Sequence, residues 1–264
     1  MDVRVLTFTG SGRTGRMIQA AAAKSNLKNV ILELGGKSPA VVFDDADLEK
    51  AVAQTAHSIQ WNSGQVCMAN SRIYVQDTIA EAFIESFKKK YQDVAAGDPT
   101  DEKTNHGPLA DEVQYKTVRS YIELGKTSGK RILGIDHEET PDGFLIHPTI
   151  FLETDEDAKI MKEEIFGPVV HINVFKTEAE AIRKANDTEF GLYAAVFSKN
   201  IDRALRVAKS LEAGTVGVNC TSPSGAKDMP FGGYKTSGIG REGYTVSLDN
   251  FLETKTVLVK IDDF

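Results

Sequence analysis

Two cysteines, Cys67 and Cys220, are all that the 264 residues contain. That is too few for a disulfide framework in a chain of this length. There is no C-x-x-C pair and no H-E-x-x-H. The five histidines, His57, His106, His137, His147 and His171, fall in no metal-ligand spacing. Each reads as a surface or core residue, and no metal site is expected. No apolar run reaches the roughly 18 residues of a spanning helix, and the first residues lack the pattern of a secretory leader. A basic excess is also missing. The formal net charge of -7 weighs against nucleic acid or an anionic membrane as partner. What remains is ordinary for a globular, cytoplasmic protein with a real core: 41% hydrophobic and 26% charged residues, without repeats or low-complexity stretches.

Along the chain, short apolar runs alternate with helical periodicity. Val3 to Phe8 reads as a strand, Thr14 to Lys24 as a helix, and "NVILEL" as a strand closed by Gly35-Gly36. "AVVF" is a short strand, and a helix follows with Asp47 as its N-cap. "RIYV" is a strand, and Ile79, Phe83 and Phe87 mark one face of a helix ending in Lys88-Lys89-Lys90. Residues 95 to 108 read as a loop, "EVQYKTVRSYIELGK" as a helix, and "FLIHPTIFLE" as extended. "VVHINVF" is a strand, and Thr177 to Glu180 form a capping box that opens a helix. "YAAVFS", a helix around Ile201 to Leu211, and "GTVGVN" repeat the rhythm, and "TKTVLVKI" closes it as an alternating strand. This order predicts an α/β protein with a mostly parallel sheet.

Four stretches carry chemistry. "VLTFTGSGRTGR" holds Gly10-x-Gly12-x-x-Gly15, the fingerprint of a dinucleotide-binding turn, and an acidic residue about 20 positions on would hold a ribose hydroxyl. Glu33 qualifies. "LELGGKSP" sets Glu33 at a strand end before two glycines. "NSGQVCMANSR" sets Cys67 in a turn of small residues, and "EEIFGPV" contains Glu164 and Phe166. Taken singly, each has a structural explanation: a lone cysteine is more often a small buried hydrophobe than a nucleophile.

Together, and in this order, these stretches and "PFGGYKTSG" (Pro230 to Gly238) resemble the aldehyde dehydrogenase superfamily from about Val3 to Lys260. The interval from Glu33 to Cys67 fits that family's base and nucleophile. The resemblance implies that Cys67 attacks an aldehyde to give a thiohemiacetal and then a thioester, and that Glu33 is the general base for its hydrolysis. This replaces the ribose assignment of Glu33. It further implies cofactor contacts at Gly10, Ser11, Leu34, Glu164 and Phe166, a substrate contact at Phe231, and NAD or NADP as cofactor.

Family members are longer, and "VLTFTGS" normally lies late in their cofactor domain. The resemblance therefore implies an N-terminally truncated member. Its expected parts are a remnant of the dinucleotide-binding domain over 1–34, a catalytic domain over 35–250, and an oligomerisation strand over 251–264. The family's asparagine oxyanion donor and its lysine on the adenosine ribose are expected to be absent. Losing one oxyanion donor costs on the order of 10² to 10³ in rate. Three functions follow: oxidation of a small-molecule aldehyde to a carboxylic acid, cofactor-independent cysteine chemistry on a reactive carbonyl (hydrolysis, condensation or cyclisation, with no cofactor), or a non-catalytic interaction protein. The strand from Val3 to Phe8 is expected at a sheet edge. With the C-terminal strand it is expected at contacts of a homo-oligomer, a dimer.

Overall fold

The computed structural model describes residues 2–136, 143–223, 225 and 228–261. His137 lies outside them, as do three residues of the 224–227 stretch. The chain opens with β1 (Val5–Thr9), α1 (Gly12–Ser25) and β2 (Asn29–Glu33), a parallel βαβ unit in which Thr9 pairs with Glu33. The Ser11 side chain caps α1 by accepting the N–H of Thr14. The third glycine of the fingerprint has a packing reason: a Cβ on Gly15 would lie 2.7 Å from the Leu34 side chain. This unit has its own small core of Ala22, Val30, Leu32 and Leu34.

The main body follows. Its elements are β3 (Pro39–Val42), α2 (Leu48–Gln60), β4 (Arg72–Gln76), α3 (Ala80–Gln92), α4 (Glu112–Ser128), β5 (Lys130–Leu133), β6 (Thr149–Leu152) and the short α5 (Lys159–Lys162). Next come β7 (Val169–Phe175), α6 (Glu178–Asn186), β8 (Phe190–Gly191), β9 (Tyr193–Phe197), α7 (Ile201–Ser210) and β10 (Thr215–Val218). The two-residue strands β11 (Tyr234–Lys235) and β12 (Gly238–Ile239) and the short α8 (Tyr244–Asp249) complete the order. Seven strands form one sheet in the order β10-β9-β3-β4-β7-β6-β5, parallel except for β5 against β6. The parallel α/β class is as the sequence implied.

Burial on both faces explains the unbroken apolar strands. Ala40, Val42, Ile73 and Val75 point to one face, under α2 and α3, and Val41, Phe43, Tyr74 and Phe175 to the other, under α6 and α7. The expected N-caps are present: Asp47 accepts from Lys50, and Thr177 from Glu180. β12 returns from far along the chain to pair antiparallel with β2, at Gly238 and Glu33. This ties the opening unit to the main body. Among the described residues β1 pairs only with β2, and its outer edge has no partner strand.

The expected C-terminal strand has no partner among the described residues of this chain. Residues 254–261 form no strand with any described part of the chain, and Val257, Leu258 and Val259 are exposed. Alternation makes a segment able to pair, but a strand needs a ladder, and no described strand of this chain supplies one.

Candidate active site

Glu33 is the last residue of β2, held between Thr9 of β1 and Gly238 of β12. The chain then turns through Gly35 and Gly36 into β3. No side chain fits at either glycine as the turn stands: a Cβ on Gly35 would be 2.2 Å from Glu164 Oε2, and one on Gly36 would be 2.2 Å from the carbonyl oxygen of Cys67. Ser237 braces this turn, donating to the Gly35 carbonyl at 2.7 Å and accepting the Gly191 N–H at 2.9 Å.

Cys67 follows α2 through a backbone that few sequences tolerate. Asn62, Ser63 and Gly64 have successive positive φ values of 50°, 53° and 74°. Ser63 holds this bend by donating to the Gly107 carbonyl at 2.8 Å. Asn62 and Gln65 exchange side-chain bonds to each other's carbonyl oxygens, both at 3.1 Å. Cys67 and Met68 are the central residues of a turn closed by Ala69 N–H donating to the Val66 carbonyl. The third contributor is the stretch after α5, which carries Glu164 and Phe166.

These pieces converge on one cleft of about 860 Å³. Its lining contains Gly10, Ser11, Glu33, Leu34, Cys67, Glu164 and Phe166, seven of the eight residues singled out from the sequence. Phe231 is not in the lining. Its backbone is paired in both directions with Glu242 at 2.7 Å, and its loop also supports the site through Ser237. Sequence reasoning missed Gln114 and Thr117 of α4, and Trp61 beside them. Gln114 holds the third stretch by donating to the carbonyls of Ile165 and Phe166 at 3.0 and 2.8 Å. A solitary tryptophan just ahead of a cysteine turn was the available signal for Trp61. Nothing in the pattern of α4 marked the other two.

The electrostatics are those of a buried, anionic site. Burial, followed by the neighbouring Glu242, pushes the Glu33 carboxyl up to about 7 against the opposing pull of Arg241. Both of its oxygens lack a hydrogen-bond partner, an arrangement that favours proton exchange over structural bonding. Burial, then Glu164, pushes the Cys67 thiol up to about 11, and the backbone N–H groups of Cys67 and Met68 pull the other way. Burial also raises Glu164, opposed by the Gly36 N–H at 3.0 Å and by Lys37. Lys37 is fully enclosed, its Nζ has no partner, and burial with the nearby Arg72 pushes it down to about 7. Arg72 in turn donates to the carbonyls of Lys37, Lys184 and Ala185 and pins the start of β3. Among the described residues no cluster of His, Cys, Asp or Glu could hold a metal ion. No described helix is long and apolar enough to cross a membrane.

The aldehyde dehydrogenase family model matches residues 1–257. The chain belongs to the aldehyde dehydrogenase family. An aldehyde dehydrogenase of Agaricus bisporus is 47% identical over 262 residues, which cover 99% of this chain and 52% of that protein. The aldehyde dehydrogenase [NAD(P)+] 2 of Saccharomyces cerevisiae is 46% identical over 272 residues, 99% of this chain and 53% of the relative. The chain thus spans about half the length of the curated relatives it matches. Among solved structures, an indole-3-acetaldehyde dehydrogenase in complex with NAD+ superposes with a TM-score of 0.95 at 40% identity, covering 99% of this chain and 53% of that one. A Staphylococcus aureus betaine aldehyde dehydrogenase with NAD+ gives 0.90 at 40% identity, with 96% and 51% covered. Aldehyde dehydrogenase membership accounts for the order of the motifs as well as for the fold.

Proposed function

We propose that this chain carries the chemistry that oxidises a small aldehyde to a carboxylic acid, with Cys67 as nucleophile and Glu33 as general base. The observation that supports this most is the convergence of Glu33, Cys67 and Glu164, from three separate stretches, on the cleft that α1 opens into. Cys67, once deprotonated, adds to the aldehyde carbon, and its own backbone N–H donates to the oxygen as negative charge develops there. Loss of hydride from the resulting thiohemiacetal, to a nicotinamide acceptor, leaves a thioester, and Glu33, poised near neutrality, takes a proton from the water that attacks it. The products are the acid and the free thiolate.

The cleft fits a nicotinamide dinucleotide. α1 begins at its rim with no acidic residue in the first turn, so its free N–H groups favour a phosphate. Gly10 and Ser11 would hold that end, and Leu34, Glu164 and Phe166 the nicotinamide ribose and ring. When bound, NAD or NADP supplies the hydride acceptor for the oxidation. Because the relatives are about twice as long, binding by this chain is itself part of the proposal. The same reading assigns the open edge of β1 and the exposed residues 251–261 to a contact with a second copy, and the protein to the cytoplasm.

A panel of aldehydes with NAD or NADP, followed by absorbance of the reduced nicotinamide, tests the reading. Cofactor reduction that disappears in Cys67→Ala is expected. A folded protein that reduces neither cofactor with any aldehyde contradicts it. One observation favours a second use of the same pair: Cys67 is half-buried at the cleft wall and the Glu33 oxygens have no partner. An activated ester would therefore meet nucleophile and base together without any dinucleotide.

A further inference from the structure

The turn that carries Cys67 is tied to the rest of the protein by two buried serines. Ser58, on the inner face of α2, and Ser222, beyond β10, are 1% and 2% exposed. Their hydroxyl oxygens are 2.6 Å apart. The N–H of Asn70 donates to Ser58 Oγ at 3.0 Å, and Ser222 Oγ donates to the Met68 carbonyl at 2.7 Å. Each serine has one hydroxyl proton, so the directions are fixed. Asn70 N–H donates to Ser58, Ser58 donates to Ser222, and Ser222 donates to Met68. The two hydroxyls thus bridge an amide and a carbonyl that flank Ala69, two residues after Cys67.

Neighbouring bonds hold the bridge in place. The Thr221 hydroxyl donates to Asn70 Oδ1, and the Thr221 N–H donates to Gln54 Oε1 at 3.0 Å. Gln54 and Ser58 lie one turn apart on α2. Segment 219–222, α2 and the cysteine turn therefore form one buried polar unit, whose bonds strengthen one another in a low dielectric.

We propose that Ser58 and Ser222 are positioning residues that hold the Met68 and Asn70 peptides, and through them aim the backbone N–H groups of Cys67 and Met68 at the nucleophile. This deepens the proposed function and rests on Cys67 being the nucleophile. Removing the Ser58 hydroxyl strands the Asn70 N–H, and removing the Ser222 hydroxyl strands the Met68 carbonyl. In each case the remaining serine also loses one of its two bonds, so the turn relaxes and the N–H groups lose their aim. Glu33 and Glu164, the carboxylates that bear on the thiol, are untouched by either change.

The test is the pH profile of Cys67 alkylation by iodoacetamide, with Cys67 and Cys220 resolved by peptide mass spectrometry. It needs neither aldehyde nor cofactor, so it can fail while aldehyde oxidation holds, and hold while aldehyde oxidation fails. Ser58→Ala and Ser222→Ala are expected to lower the rate at fixed pH by about threefold or more, the effect of half a unit in the thiol's titration. The double variant is expected to match either single one, because the two hydroxyls act in series. Thr55→Ala is the control: among the described residues this buried hydroxyl bonds only within α2, to the carbonyls of Ala51 and Val52. It is expected to lose stability while keeping the profile. Unchanged profiles in folded serine variants, or an equal change in Thr55→Ala, would overturn the proposal. Should the alanine variants fail to fold, amide exchange in the unaltered protein decides. Strong protection of the Asn70 N–H is expected, and exchange at the rate of an open loop overturns the proposal.

Discussion

Glu164 and Gly36, far apart in the chain, meet in one hydrogen bond of 3.0 Å from the Gly36 N–H to Glu164 Oε1. The bond sets a half-buried carboxylate against the glycine turn that joins Glu33 to β3. Cys67 presses on the same turn from its other side, through its carbonyl oxygen. The turn therefore lies against all three of Glu33, Cys67 and Glu164, and its two glycines have different tasks.

Those tasks separate on substitution. In Gly36→Ala the new Cβ would lie 2.2 Å from the Cys67 carbonyl, so backbone must move. A stability loss of about 1–3 kcal/mol is expected, read as a lower midpoint in thermal unfolding. In Gly35→Ala the obstacle is the far end of the Glu164 side chain, which can swing away. The expected result is a near-normal melting temperature with the Gly36–Glu164 bond lost and NAD affinity reduced, measured by calorimetry.

Glu164 also holds the Cys67 thiol up, second only to burial. Glu164→Gln removes that charge while its amide oxygen still accepts from Gly36. Alkylation of Cys67 at pH 8 is expected to speed up by roughly threefold to tenfold. A slower reaction would mean that the carboxylate assists the thiol.

Glu33 should make the folded protein less stable as pH rises. Its carboxyl is pushed up to about 7 from 4.5, so the folded state binds the proton more tightly than the unfolded one. Stability from this group is present below about 4.5 and is lost as pH climbs through 7. Glu33→Gln is therefore expected to be more stable than the unaltered protein at pH 8, by on the order of 2–3 kcal/mol. Urea unfolding of both proteins at pH 5 and pH 8 checks this. Equal gaps at the two pH values would contradict it.

Lys37 works in the opposite sense. Burial pushes it down to about 7 from 10.5, so between those values the unfolded state binds more protons and stability rises with pH. Lys37→Met is expected to remove that rise and to gain most near and below pH 7, where the enclosed charge costs most. Urea midpoints from pH 6 to pH 10 measure it. An unchanged slope in the variant would show that the Lys37 amine is not the group titrating.

Much of the fold was readable because its central strands are buried on both faces and its helices begin at capped residues such as Asp47 and Thr177. The two-residue strands β8, β11 and β12 were not, because a period cannot show itself in two residues. "TKTVLVKI" alternates, which records a capacity to pair, and its partner is not among the described strands of this chain. At the site, Glu33, Cys67 and Glu164 stood out by motif, whereas Gln114 and Thr117 reach the cleft through the packing of α4, which no local pattern encodes. Phe231 was assigned through resemblance; its backbone pairs with Glu242, and its loop also brings the Ser237 hydroxyl to the Gly35 carbonyl. The strained Asn62–Gly64 bend was also invisible, because Ser63 between them is not a residue type that suggests a positive φ, although Asn62 and Gly64 are.

The most direct measurement is to trap the acyl group. The purified chain and its Glu33→Gln variant are each mixed with p-nitrophenyl acetate, and the protein is followed by intact mass and peptide mapping. With Cys67 as nucleophile and Glu33 as base for hydrolysis, acetyl groups accumulate on Cys67 in the variant. In the unaltered chain they turn over, and in Cys67→Ala they are absent. Acetylation at another residue, or equal turnover with and without the Glu33 carboxylate, would contradict the assignment of this pair.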